Sequence, residues 1–250
     1  MLEVKSHAPD LATESSQLVF EVKAGTFYLI SKRMLDVVIA AVLLLLLAPV
    51  IAVIALAIKC TSPGPVFFVQ ERVTVRLKKR NGRRVWVAQP FQCYKFRSMY
   101  HNADPALHRL YVEANIKNDV DAMRRYNGNE TKVRKLKADP RITPIGRFLR
   151  KTSLDELPQL WNVLKGDLSL VGPRPAIPYE LDLYKPWYFE RLGARPGVTG
   201  WWQVTARSAA SYDEMVALDI WYVNHQSFLL DCWILLLTPR AVLWPRGTAV

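Results

Sequence analysis

The stretch VVIAAVLLLLLAPVIAVIALAI, from Val37 to Ile58, contains no charged residue. As a helix rising 1.5 Å per residue it reaches about 33 Å, against about 30 Å for the hydrocarbon core of a bilayer. It starts too deep in the chain, and is too long, to be the apolar region of a secretory signal. It is also too long for the buried helix of an ordinary soluble domain. The segment is therefore expected to enter a membrane. Pro49 stands near its middle. An interior proline removes a helical hydrogen bond and clashes with the preceding turn, at a cost of about 3 kcal/mol. Membrane helices tolerate such a kink, so one reading is a bent span. The other is a re-entrant hairpin, whose arms of about 18 and 13 Å are each too short to cross. Lys32 and Arg33 precede the segment, and Lys59 and Arg72 follow it. Positive charge on both flanks does not select one side, so both topologies stay open on this pattern.

The 250-residue chain carries a formal charge of +12 while half of it is hydrophobic. That balance is unusual for a soluble enzyme and asks for an anionic partner: lipid, nucleic acid or a phosphorylated substrate. Cys60, Cys93 and Cys232 are far apart and form neither a metal spacing nor an even-numbered disulfide set. They are expected to be buried thiols in a reducing compartment. His7, His101, His108 and His225 are scattered, and no zinc motif is visible.

Outward from the apolar segment, residues 1–25 read as a polar tail. Ser62-Pro63-Gly64-Pro65 ends the helix and leads into a strand. The next stretch, VTVRLKKRNGRRVWVAQPFQCYKFRSM, reads as a β-hairpin turning at Asn81-Gly82. Its basic tip suits a solvated loop near a membrane better than a nucleic-acid grip. Residues 104–137 are polar and charged and read as a surface insertion with helical potential. A short helix follows, then a break, then a helix with Leu157, Leu160, Trp161 and Leu164 on one face, stopped by Gly166. The aromatic, amphipathic C-terminal stretch fits either packed core helices or helices at a bilayer interface.

The chemistry centres on KTSLDELPQLWNVLKGDLSLVGPRPA, Lys151 to Ala176. Asp155 and Glu156 stand side by side within basic surroundings. Ser153-x-x-Glu156 fits a capping box, but Pro158 favours Asp155 as the N-cap, since proline at N3 loses no hydrogen bond. Capping alone would account for the pair. A helix N-terminus also favours phosphate, and Arg150, Lys151 and Arg174 are close enough in sequence to hold a diphosphate. Prolines on both sides fix the backbone at Arg174. Lys95 and Arg97 flank Phe96 and would leave a strand on one face. An acidic pair in a basic cleft suggests metal-assisted phosphoryl transfer.

These residues resemble the bacterial sugar transferases, the small monotopic phosphoglycosyl transferases. KRMLD, the apolar segment with Ala48-Pro49, SPGPVFFVQERV, YKFRSM, DPRITPIGRFLRKTSLDELPQLWNVLKGDLSLVGPRP and RPGVTGWWQV occur in order between about Ser31 and Leu243. The resemblance implies transfer of a sugar 1-phosphate from a nucleoside diphosphate sugar, with uridine the expected base, to undecaprenyl or another polyprenyl phosphate. That step opens exopolysaccharide or other glycan synthesis. It implies Asp155 as the nucleophile, Glu156 as the Mg²⁺ ligand with Asp155 beside it, and Lys95, Arg150 and Arg174 around the phosphates; the strand alternation adds Arg97 beside Lys95 as a substrate-binding candidate. Gln203 and Arg207 fall near the nucleotide. Pro49 matches the break of a re-entrant helix. The implied fold is α+β and mainly helical. It has a tail over 1–30, a re-entrant membrane helix over 31–60, and a cytoplasmic catalytic domain over 61–250 with a small β-hairpin sheet and interfacial amphipathic helices. The implied location is monotopic, on the cytoplasmic face of a bacterial inner membrane, among its lipids. No nucleic-acid partner is expected, and a homo-oligomer is compatible with the pattern. The chain departs from the family at Val73-Thr74 after QER, at its enlarged hairpin, at the long insertion and at Ala206.

Two other functions stay in view. A membrane-anchored phosphodiester hydrolase would use the same acidic pair and metal with water as acceptor, releasing sugar phosphate without polyprenyl phosphate. A non-enzymatic anionic-lipid binding protein would explain the charge but not the carboxylates, and would bind any polyanion salt-sensitively without turnover.

Overall fold

The structure, a computed structural model, describes residues 18–104, 106–127, 139–206 and 210–243. In chain order, the first elements are β1 (Val19–Glu21), α1 (Thr26–Thr61), β2 (Phe67–Arg80), β3 (Arg83–Phe96), α2 (Ala106–Lys117) and α3 (Val120–Asn127). They are followed by α4 (Pro144–Thr152), α5 (Gln159–Lys165), β4 (Ser169–Val171), α6 (Pro178–Leu181), β5 (Gly197–Thr199), α7 (Trp201–Thr205), α8 (Tyr212–His225) and α9 (Phe228–Leu243). The protein is thus mainly helical with a small sheet, as expected. Much of residues 1–25 lies outside the described residues, but Val19–Glu21 are not a loose tail. They add an antiparallel third strand to the hairpin, with Phe20 opposite Trp86.

The apolar segment is one continuous helix, and the expected break at Pro49 does not interrupt it. It starts at Thr26 and its contour is about 54 Å. Its most apolar window has a mean hydropathy of 3.3 and is only 11% buried, unlike a helix at the centre of a soluble domain. Only a narrow stripe faces the protein: Lys32, Asp36 and Ala40 near one end, Ile54 and Ile58 near the other. Leu45, Leu46, Val50, Val53 and Leu56 are exposed. A helix this apolar and this uncovered associates with a membrane.

Both ends of α1 belong to the same body. At its start Leu29 packs with Phe20, Val75 and Trp86, and Lys23 donates to Asn224 Oδ1 at 2.6 Å. At its far end Ile54 and Ile58 pack with Phe96 and Leu149. The hairpin strands, each 14 residues and about 48 Å long, therefore run beside the helix and join its two ends. The turn between them is built as the sequence predicts. Asn81 (φ 50°) and Gly82 (φ 76°) both adopt positive φ, the geometry that matches the twist of the strands.

Buried polar links hold α1 to the C-terminal helices. Lys32 Nζ lies 2.7 Å from Asp231 Oδ2 and donates to Tyr222 OH, and Tyr28 OH donates to the same carboxylate. Arg33 donates to the carbonyls of Val163 and Leu164, which close α5. Helix α9 shows an outward apolar face of Phe228, Leu229, Trp233 and Leu236. Asp231 and Ile234 turn inward, so this helix is both core and exposed apolar surface.

The insertion is less superficial than its composition suggests. Tyr111, Ala114, Ile116 and Met123 are buried, and Ile116 packs with Tyr188, Tyr212 and Met215. Isolated apolar residues on α2 and α3 suffice to dock them, although neither carries a continuous apolar stripe. The thiols also differ from expectation. Cys93 is buried, but Cys60, on the outer side of the last turn of α1, is exposed.

Candidate active site

The acidic pair occupies a corner between two helices. Helix α4 begins with Thr143 accepting from Gly146 N–H at 3.0 Å and with Pro144 in the first turn, a strong start signal. It ends at Ser153, whose φ of 58° turns the chain. Leu154–Glu156 then form a single 3₁₀ turn. The expected role of Asp155 as N-cap of the following helix is therefore wrong. Helix α5 starts only at Gln159, with Pro158 in the cap position and no side-chain cap. The left-handed Ser153 breaks the pair from α4, and Leu157 and Pro158 separate it from α5. The flanking Leu154 and Leu157 pack on α1, Phe96 and Leu149, while Asp155 and Glu156 stay half-buried. The leucines thus fix the corner and leave the carboxylates available.

The predicted face of α5 is also revised. Leu160 is buried, but Trp161 is 55% exposed, and Asn162 and Val163 are buried instead. The late start of the helix rotates the apolar stripe. Gly166 does end it, with φ 78° and its N–H on the carbonyls of Asn162 and Val163.

Two cations attend the pair from different elements. Lys95 Nζ, from β3, lies 2.7 Å from Glu156 Oε1. Arg150, from the last turn of α4, has a buried Nη1 without a hydrogen-bond partner. Burial lowers the pKa of its guanidinium, and the foremost charge opposing that is Asp155. Each carboxylate therefore has its own cationic neighbour.

The hairpin carries the site further. Residues directly opposite in the ladder share a face, so Phe68 with Lys95, Gln70 with Cys93 and Arg72 with Phe91 lie along one side. Burial raises the pKa of the Cys93 thiol, and Lys95 and Arg72 are its principal cationic neighbours. Arg72 lies about 13 Å along the strands from Lys95. It donates to Pro175 O at 2.9 Å and to Gln70 Oε1 at 2.7 Å, which seats the VGPRP turn on the hairpin.

Arg174 is held in that turn by its backbone. Its N–H donates to Asp219 Oδ2 and its carbonyl accepts from Arg191. Its side chain reaches Glu180 Oε1 at 3.3 Å. Glu180 is completely buried. Burial alone would raise its pKa, but Arg174, Arg72 and Arg191 hold it below the ordinary glutamate range. Arg191 and Asp219, each 1% exposed, form a buried ion pair behind the turn. Gln203 packs against the same turn, since a Cβ on Gly200 would meet both Gly172 O and Gln203 Oε1. That Oε1 is buried without a partner.

Not all the predicted site residues meet. Arg97 is buried and donates to the Ser62 and Pro63 carbonyls and to Ser62 Oγ. It closes the end of α1 rather than facing the carboxylates. Arg207 lies outside the described residues. Arg72, Glu180, Arg191 and Asp219 were not anticipated. Their signal was a charge set among apolar and aromatic residues, as in WYFERLG and MVALDIWY, since a buried charge needs a partner.

Among the described residues no three His, Cys, Asp or Glu side chains are grouped to hold a metal. Magnesium rarely needs such a group. It keeps several waters and takes one or two carboxylates together with substrate phosphates. Asp155 and Glu156 fit that role, with Arg150 Nη1 left to meet an anion.

The chain matches the family model described as bacterial sugar transferase over residues 27–245. It is 43% identical over 217 residues to the undecaprenyl-phosphate galactose phosphotransferase of Salmonella typhimurium, covering 86% of this chain and 41% of that protein. It is 39% identical over 219 residues to the exopolysaccharide production protein ExoY of Sinorhizobium fredii, covering 88% of each. It is 36% identical over 230 residues to the undecaprenyl-phosphate glucose phosphotransferase of Komagataeibacter xylinus, covering 88% of this chain and 37% of that one. The chain thus spans well under half of two of these relatives and most of the third.

Proposed function

The chain belongs to the bacterial sugar transferase family, and from that premise we propose that it transfers a sugar 1-phosphate from a nucleoside diphosphate sugar, a UDP-sugar, to polyprenyl phosphate. The names of the relatives support the acceptor and the pathway class: two are undecaprenyl-phosphate sugar phosphotransferases and one is an exopolysaccharide production protein. The observation that carries the reading is the acidic corner, a half-buried Asp155–Glu156 pair between Lys95 and Arg150 at one end of a cationic hairpin face.

In the proposed sequence a carboxylate oxygen of Asp155 attacks the phosphorus that bears the sugar. The bond from that phosphorus to the bridging oxygen breaks, and nucleoside monophosphate leaves with the electron pair. An aspartyl phosphosugar remains. A phosphate oxygen of the polyprenyl carrier then attacks the same phosphorus and releases the Asp155 carboxylate with polyprenyl diphosphate sugar. Arg150 and Arg174 bear on the donor's phosphates, and Lys95 positions Glu156. Magnesium held by Glu156 and the diphosphate, with Asp155 alongside, would neutralise charge on the leaving group. A covalent intermediate lets a soluble donor and a lipid acceptor use one site in turn.

A monotopic placement on the cytoplasmic face belongs to the same proposal. Both ends of α1 join one hairpin, which favours an in-plane or re-entrant helix bending at Pro49 over a span that would put its ends on opposite sides.

The test is mass spectrometry of protein quenched after exposure to donor and Mg²⁺ without acceptor. A sugar-phosphate adduct should map to the peptide containing Asp155 and disappear when polyprenyl phosphate is added. An adduct elsewhere, or none with turnover intact, rejects the mechanism.

A further inference from the structure

We propose that the tip of the β2–β3 hairpin is a docking surface for an anionic lipid leaflet, with lysine and arginine side chains binding headgroup phosphates. From Arg72 to Ala103 the chain contains no Asp or Glu. Lys78, Lys79, Arg80 and Arg83 are exposed at the tip, and Arg84 is half-buried just below it. None of the five forms an ion pair among the described residues. The ladder sets Lys79 opposite Arg84 and Arg80 opposite Arg83. Like charges in directly opposed positions disfavour strand pairing, so the hairpin bears a repulsion that a polyanionic surface would relieve.

The position of the tip selects the surface. Leu77, Arg84 and Trp86 line a cavity of about 350 Å³ together with Ile30, Met34 and Arg195. Ile30 and Met34 are also exposed apolar residues of α1, three to seven residues before its charge-free stretch begins at Val37. The hairpin therefore stands beside the place where the helix becomes fully apolar, the headgroup level of a membrane that takes up that helix. Trp86 Nε1 and Arg195 Nε have no hydrogen-bond partner, so unused donors accompany the cavity. The basic pair on α1 itself is unavailable, since Lys32 is engaged by Asp231 and Arg33 by the end of α5. A basic residue near an anionic leaflet gains about fivefold in partitioning, and the gain is screened by salt.

The tip consists of tryptic sites, which gives a readout independent of catalysis. Full-length protein is placed in nanodiscs of neutral phosphatidylcholine, or of phosphatidylcholine with phosphatidylglycerol, and cleaved briefly with trypsin. Cleavage between Lys78 and Arg84 should be several-fold slower in the anionic discs, while cleavage after Arg124 in the same samples reports equal trypsin activity. Molar salt should remove the difference. The variant Lys78→Gln/Lys79→Gln/Arg83→Gln, followed by hydrogen exchange over residues 76–87, should behave alike in both discs, whereas the unaltered protein should be protected only in the anionic ones. Equal cleavage of the unaltered protein in both discs overturns the proposal. So does protection in neutral discs that appears only with two copies per disc, which assigns the tip to a second copy of the chain.

Discussion

Glu156 takes its cation from the hairpin, with Lys95 Nζ 2.7 Å from its Oε1, whereas Asp155 is the leading counter-charge of Arg150 on α4. Adjacent carboxylates thus have different partners, and their substitutions should differ. Asp155→Asn should leave the fold intact, because the residue is half-exposed and caps no helix, while lowering turnover by roughly 10³-fold or more, as loss of a nucleophile does. Glu156→Gln should retain measurable activity with a raised Mg²⁺ requirement. Steady-state rates across a Mg²⁺ titration separate the two; equal behaviour of both variants contradicts the assignment.

Arg174→Lys should lose most activity with little change in melting temperature. The bonds that hold the turn, to Asp219 and from Arg191, use the Arg174 backbone and survive the change. The planar, bidentate guanidinium does not. Release of nucleoside monophosphate at the normal rate would reduce Arg174 to a structural residue.

Glu180→Gln should destabilise the protein by about 3–5 kcal/mol, the usual result of leaving buried cations without their carboxylate. The carboxyl of Glu180 is held below its ordinary pKa once the three arginines outweigh burial. Its contribution is therefore present above the unfolded-state value, near 4.3, and is lost as pH falls through the folded-state value. The difference in melting temperature between the two proteins should narrow progressively as pH is lowered from about 6 into the acid range. A gap independent of pH would show that packing, not charge, is responsible.

Single cysteines replacing Glu21 and Arg83 should both react with a membrane-impermeant thiol reagent from the cytoplasmic side only, because β1 and β3 pair across the two flanks of α1. Native Cys60 is exposed and is first changed to serine. Labelling of the two sites from opposite sides of the membrane would establish a span. Pro49→Leu, which restores the helical hydrogen bond that proline cannot make, should lower activity and increase the fraction labelled from outside.

Gly146→Ala should lower both stability and activity. A Cβ there would lie 1.9 Å from Ser98 O, so α4 must move away from the strand end that follows Lys95. Displacement by even an ångström would separate Arg150 and Lys95 from the acidic corner. A loss of about 1–3 kcal/mol is expected from the overpacking, measured by denaturant unfolding in detergent; an unchanged midpoint and rate would show that α4 is free to shift.

The hairpin was legible because Asn-Gly demands positive φ at both turn positions, and the stop at Gly166 for a similar local reason. The length and apolarity of α1 were equally plain. The helix start after the acidic pair was not, because the left-handed Ser153 inserts a turn that no propensity scale distinguishes from continued helix. The Arg191–Asp219 pair was missed because its partners come from distant segments. Arg97 was misread because its alternation with Phe96 says where the side chain emerges, not that the carbonyls of Ser62 and Pro63 lie there to receive it. Docking of the insertion likewise depended on Tyr188, Tyr212 and Met215, which only the tertiary fold brings to Ile116.

The clasp between Phe20 and Trp86 also sets an order of events during synthesis. Helix α1 is complete while the strand that secures its upstream flank is still untranslated. At about 5–20 residues per second, β3 follows β1 from the ribosome only after several seconds. During that interval the apolar helix must be received by lipid or by the cell's insertion machinery with its leading end untethered. Once β3 arrives, the strand pairing ties that end to the newly made body, and a side chosen early becomes difficult to reverse.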